Sequence, residues 1–118
     1  MFEGCTSLIN PPKLPADTFA DTGAYSRMFY GCTSLATLPK LPVLVLKNNC
    51  YNSMFYGCSN IKLSTTQTGI YQTAYRIPTT GTGTDATDTC LNMFTNTGGT
   101  FTGTPTINTT YYTSNTLI

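Results

Sequence analysis

The sequence predicts an α/β repeat solenoid, with one short helix and one short strand per turn and a Thr/Gly-rich β cap at the C-terminal end. Three observations carry this expectation. The pattern Met-Phe-X-Gly-Cys occurs at residues 1–5, 28–32 and 54–58, and a degraded copy begins at Met93-Phe94. The methionines are 27, 26 and 39 residues apart. Self-similarity at a period of roughly 20–50 residues marks a stacked array, in which no unit buries its apolar face alone. Finally, the apolar residues of the motif share one helical face, and a proline follows the short apolar run after it.

The helix is read from Ala24, Tyr25, Met28, Phe29 and Cys32, which form one stripe at about 3.6 residues per turn. Cys50, Tyr51, Met54, Phe55 and Cys58 form the equivalent stripe in the next unit. Gly31 and Gly57 lie near its end, where a residue without Cβ can turn left-handed and stop a helix. The run Ser34–Leu38 ends at Pro39 and suits a brief strand. Leu8, Leu35 and Ile61 repeat one position, and Pro12-Lys13-Leu14-Pro15 matches Pro39-Lys40-Leu41-Pro42. These repeats occupy residues 1–63. Residues 64–92 form an extended repeat or insert. Residues 93–118 form a degenerate repeat and the cap, in which Gly98 and Gly99 shift the register by one and Thr, Tyr and Asn favour strands and turns.

Charged residues make up 9% of the chain, far below the roughly 25% of an ordinary soluble domain, and the net charge is +1. A nucleic-acid surface needs a concentrated positive footprint, and neither a basic cluster nor a polybasic membrane anchor is present. No run of about 18 apolar residues exists to span a membrane. The chain opens on the motif without a signal-like segment or a capping repeat, so the expectation is a C-terminal part of something longer, or an edge covered by other chains.

Catalysis is not expected. The sequence contains no histidine, which removes the commonest general base and the usual partner of a Ser or Cys nucleophile. Asp85 and Asp88 read as a helix cap before Met93 rather than as a metal or acid–base pair. Gly81-x-Gly83 lacks the lysine and helix of a phosphate loop. No metal or cofactor site is expected, since no C-x2-C pair accompanies the five cysteines. Cys5, Cys32 and Cys58 share one repeat position and read as a buried structural ladder. Cys50 and Cys90 are the candidate disulfide pair, one residue out of register, and the odd total leaves at least one thiol free.

The outward positions are more informative. Tyr30 and Tyr56 face away from the helical stripe at matched positions of adjacent units, where they either stack on a sugar or partner surface or pack laterally between repeats. Lys13 and Lys40 are a matched, solvated pair. Tyr71, Tyr75 and Arg76 in the insert are residue types enriched at interface hot spots, with a structural clamp as the alternative. Asn108-Thr109-Thr110 forms a glycosylation sequon.

The run Tyr-x-x-Met-Phe-Tyr-Gly-Cys-Thr-Ser-Leu-x-x-Leu-Pro-x-Leu-Pro at residues 25–42 resembles the BspA-type leucine-rich repeat, the bacterial surface protein 26-residue repeat. The resemblance covers the first two units well, the third in part, and the last only at Met93-Phe94 and Pro105. It implies a leucine-rich-repeat-like solenoid displayed outside the cell. It also implies a non-enzymatic role in adhesion, binding protein or glycan on a host or neighbouring cell. A phage virion component, structural or receptor-binding, is the alternative. Tyr30, Tyr56, Tyr71, Tyr75 and Arg76 are the expected partner-binding residues.

Overall fold

A computed structural model describes residues 2–11, 25–41, 51–77, 90–101, 104–106 and 109–118. Lys13, Cys50, Gly81, Gly83, Asp85, Asp88 and Asn108 lie outside these residues, so the expectations attached to them are not addressed. The expected α/β solenoid with a helix in every turn is not what the chain builds. Among the described residues there is no helix. The described residues form five short strands in two sheets: β1 (Thr37–Leu38), β2 (Leu63–Ser64), β3 (Thr73–Ile77), β4 (Thr109–Thr113) and β5 (Thr116–Leu117).

The backbone hydrogen bonds explain the missing helix. The N–H groups of Met28, Tyr30 and Cys32 close local turns by donating to the carbonyls of Tyr25, Arg27 and Phe29, at 3.2, 3.1 and 3.0 Å. The alternate N–H groups, those of Arg27, Phe29 and Gly31, instead donate to Asn52, Met54 and Tyr56 of the next unit at 2.8, 2.9 and 2.7 Å. Ser53, Phe55 and Gly57 repeat this toward Leu91, Met93 and Thr95 at 2.8, 3.0 and 2.9 Å. An α-helix needs each N–H for the carbonyl four residues back. Here half of them are committed to a neighbouring unit.

Backbone dihedrals act in the same direction. The residue before each of the last three methionines is left-handed: φ is 54° at Arg27, 53° at Ser53 and 55° at Asn92. The motif glycine is left-handed as well, at 74°, 73° and 77° for Gly4, Gly31 and Gly57. Two such residues per unit interrupt any helix, because L-residues adopt this region singly and at a cost that glycine escapes. Where the last unit lacks the glycine, Asn96 takes the position with φ 61°, as the non-glycine residue that best tolerates it.

The buried face is nevertheless the one the stripe marks. Tyr51, Met54, Phe55 and Cys58 are fully buried, as are Phe29 and Cys32. The phenylalanines stack in a column, Phe2 on Phe29 at 5.6 Å, Phe29 on Phe55 at 5.6 Å and Phe55 on Phe94 at 5.3 Å. Tyr75 closes the column edge-on against Phe94. Burying each such ring contributes about 1.5–3 kcal/mol.

The C-terminal segment contributes a strand to each sheet. β4 is the middle strand between β2 and β3, antiparallel to both, and β5 runs parallel to β1. Asn115, between them, ties the turns to the sheet. Its Nδ2 donates to the carbonyls of Ala36 and Asn60, and its Oδ1 accepts the N–H of Lys62. β3 lies in the segment read as an insert and pairs with β4 over five residues. Gly98 and Gly99 let the last unit run against the third. Gly98 N–H donates to Ile61 at 2.8 Å, and a Cβ at Gly99 would collide with the backbone of Leu63.

Candidate functional site

The third residue of each motif is the one that looks outward. In the four units this position is held by Glu3, Tyr30, Tyr56 and Thr95. The inter-unit bonds fix the spacing, so the side chains form a column on the surface. Tyr30 and Tyr56 are half-buried and stacked, with ring centroids 4.7 Å apart and planes 3° from parallel. The guanidinium of Arg27 lies over the Tyr30 ring, 4.2 Å from its centroid. It also donates to both oxygens of the Glu3 carboxylate, with the shorter contact at 2.7 Å. The hydrogen bond from Arg27 holds the Glu3 carboxyl below its ordinary value and raises Arg27 in turn.

Both faces of Tyr30 are therefore occupied, one by Tyr56 and the other by Arg27. A sugar ring stacks on a free aromatic face, and Tyr30 offers none. Tyr30 presents its ring edge and hydroxyl group beside the rim of an ion pair. The two tyrosines pack laterally against each other between repeats and remain partly exposed.

The other expected contact residues are dispersed. Tyr71 is half-buried in the exposed segment 65–72, beside Ile70, which is 62% exposed. Tyr75 is a core residue at 2% exposure, and its hydroxyl donates to the carbonyl of Pro39 at 2.7 Å. Its burial keeps it out of the tyrosine column's surface, and it also raises the phenol well above its ordinary value. Arg76, next along β3, is exposed and donates to Thr110 Oγ1 at 3.3 Å.

Cys32 and Cys58 are buried in register, and each thiol donates to a carbonyl of the preceding unit, Phe2 at 2.9 Å and Phe29 at 3.0 Å. Burial raises both thiols, Cys58 to about 12. Cys5 is exposed, outside the ladder's buried part, and none of the three forms a disulfide. Cys90 is buried at 4% exposure; its candidate partner Cys50 lies outside the described residues.

A second feature is a cleft of about 240 Å³, lined by Lys40, Leu41, Ala74, Tyr75, Arg76 and Leu117. It lies where the β1 exit, β3 and β5 meet. Three bonds hold its walls: Tyr75 to Pro39, Ile118 N–H to Leu38 at 3.0 Å and Lys40 N–H to Ile118 at 3.4 Å. Compared with known protein families, characterised proteins and solved structures, the chain matches none. The two sites are therefore judged on their own geometry. Arg76 and Tyr75 were marked by residue type alone. The sequence offered no signal for Leu117 or Leu41, and it paired Lys40 with Lys13 rather than with Arg76. Among the described residues no helix is long and apolar enough to cross a membrane.

Proposed function

We propose that the protein is a non-catalytic binding module, displayed outside the cell, that recognises a protein surface through Arg27, Tyr30 and Tyr56. The observation that carries this reading is the stack of Arg27, Tyr30 and Tyr56 on the surface, with Tyr30 held between the other two. Tyrosine and arginine are the residue types that dominate interface energetics. A tyrosine already held between two neighbours loses little rotamer freedom when a partner arrives, so its contact area converts efficiently to affinity. The occupied faces of Tyr30 favour a protein partner over a glycan there, because they leave its hydroxyl and edge for hydrogen bonding and lateral contact. Surface display rests on the resemblance of residues 25–42 to the BspA-type repeat. The absence of histidine from the sequence, and the engagement of Glu3 by Arg27, support a non-catalytic role.

The test is binding of the chain and of its Tyr30→Ser/Tyr56→Ser variant to arrayed extracellular proteins and to arrayed neutral glycans. Capture of a defined protein by the parent, weakened about 100-fold or more in the variant, is expected for loss of two hot-spot tyrosines. A shared urea midpoint for the two chains would show that the fold survives. Equal binding by both overturns the assignment, as does binding to glycans alone.

A further inference from the structure

We infer that the first unit presents a self-complementary edge, through which two copies of this chain pair about a two-fold axis. The occupant of the edge is a second copy, and the surface is separate from the stack of Tyr30 on Tyr56.

The edge is defined by what the other units do with the same groups. Along the stack, the carbonyl of the outward residue accepts the glycine N–H of the unit before it. Tyr30 accepts from Gly4 at 2.7 Å, Tyr56 from Gly31 at 2.7 Å and Thr95 from Gly57 at 2.9 Å. The N–H groups of Ala36 and Lys62, which share one position in the second and third units, are also bonded. Ala36 donates to the carbonyl of Ile9 at 2.9 Å, and Lys62 to Asn115 Oδ1 at 2.8 Å. In the first unit the counterparts are the carbonyl of Glu3 and the N–H of Ile9, and among the described residues neither has a partner. The thiols follow the same rule. Cys32 and Cys58 each donate to the unit before, whereas Cys5 is exposed and, among the described residues, donates to none. A row of unpaired carbonyl and amide groups is a template for another chain.

The same edge carries apolar surface. Ile9 is 56% exposed, and Phe2 and Leu8 are half-buried. Glu3 is the only charged side chain in residues 2–11, and Arg27 pairs with it at 2.7 Å, so no lone charged side chain opposes pairing. Symmetry then selects the geometry. The far end of the stack is closed: Asn92 N–H donates to Thr104 Oγ1 at 2.9 Å, and Tyr75 lies edge-on against Phe94. Head-to-tail addition needs that end open and is blocked. A two-fold axis instead sets the acceptor of Glu3 opposite the donor of Ile9 in the copy, and the reverse, which gives two reciprocal bonds with Ile9 packed across the interface. The axis passes near Thr6, midway along the chain between the two, and leaves Cys5 beside its counterpart.

Sedimentation equilibrium and amide hydrogen exchange of the parent chain test this together. A monomer–dimer equilibrium is expected. Exchange at Ile9 should slow as the dimer fills, while Phe2 and Gly4, already bonded to Met28 and Tyr30, change little. Ile9→Lys should weaken the dimer about 100-fold or more, because the symmetry repeats the loss in both protomers. Ile9 is exposed, so the urea midpoint at low concentration should not move, and the exchange readout needs no variant. A short bis-maleimide should join two chains through Cys5, and Cys5→Ser should abolish that product. A monomer at every concentration overturns the inference, as do oligomers that grow beyond two. A dimer insensitive to Ile9→Lys, exchange at Ile9 that ignores concentration, or no Cys5-linked product overturns it equally. The Tyr30→Ser/Tyr56→Ser variant should dimerise like the parent, so failure here and failure of the protein-binding reading are separately visible.

Discussion

Replacing Phe55 by alanine tests the stacked architecture most directly. Phe55 is fully buried between two rings, Phe29 at 5.6 Å and Phe94 at 5.3 Å. Its transfer from water is worth about 1.5–3 kcal/mol, and each stack adds roughly 0.5–1.5 kcal/mol. The gap left behind cannot close easily. The N–H of Phe29 is bonded to Met54 and that of Phe55 to Met93, which pins the units at their present separation. Phe55→Ala is therefore expected to cost about 3–5 kcal/mol, the range for large aromatic truncations in rigid cores. Against a total of about 5–15 kcal/mol for a domain of this kind, that loss brings the chain near unfolding at room temperature. Phe2 is the internal control: it is half-buried and, among the described residues, stacks on Phe29 alone. Phe2→Ala should cost about 1–2 kcal/mol, one stack and part of the transfer term. Urea denaturation of the two variants reads both values. Equal losses, or a loss at Phe55 below about 1.5 kcal/mol, would refute a continuous column.

Three further predictions concern the backbone, the ion pair and the thiols. Gly57→Ala should cost about 1–2 kcal/mol for the left-handed backbone alone, because its Cβ would meet the Gly31 backbone at an ordinary 3.6 Å from Cα and 3.7 Å from N. Gly99→Ala should cost at least about 3 kcal/mol, since the colliding atoms are the rigid backbone of Leu63; urea midpoints separate the two. Glu3 should titrate below its ordinary 4.5 by NMR and return toward it in Arg27→Gln. With its pKa depressed in the native state, Glu3 adds a small stability above pH 4.5 that is lost on further acidification. Finally, alkylation at pH 8 followed by mass spectrometry should label exposed Cys5 well before Cys32 and Cys58. Because Cys58 is raised from 9 to about 12, its contribution is full below pH 9 and fades as pH climbs toward 12.

The sequence located the buried face correctly and mistook the backbone beneath it. A stripe at positions 25, 28, 29 and 32 is compatible with a helix, and it is equally compatible with successive three-residue turns that return to the same side. Periodicity records where side chains point and carries no information on where N–H groups donate. The left-handed φ at Arg27, Ser53 and Asn92 had no signature in residue type, since three chemically different residues share it. Gly31 was read as the end of a helix because glycine permits left-handed φ; it has that φ, in a turn. The sheets were less legible still. β2 and β3 both pair with β4, whose partners lie more than 30 residues away, and no local pattern encodes such a pairing.

The same distinction separates the two candidate sites. Tyr30 and Tyr56 could be found because each unit repeats the last: a residue facing outward once faces outward again, directly beside its counterpart. Repetition thus makes a column legible from one chain. The cleft obeys no period. Lys40 leaves β1, Arg76 lies on β3 and Leu117 on β5, and they meet only because Tyr75 bonds to Pro39 and Ile118 to Leu38. Tyr75 itself drew attention as an aromatic beside an arginine, the composition of a contact surface. It is instead a buried strut that ties β3 to Pro39. Removing Tyr75 with the surface tyrosines would unfold the chain and abolish binding at any site, so the loss would say nothing about contact. Variants that report on recognition must stay with Arg27, Tyr30 and Tyr56 at the column, because these side chains reach solvent without holding the core.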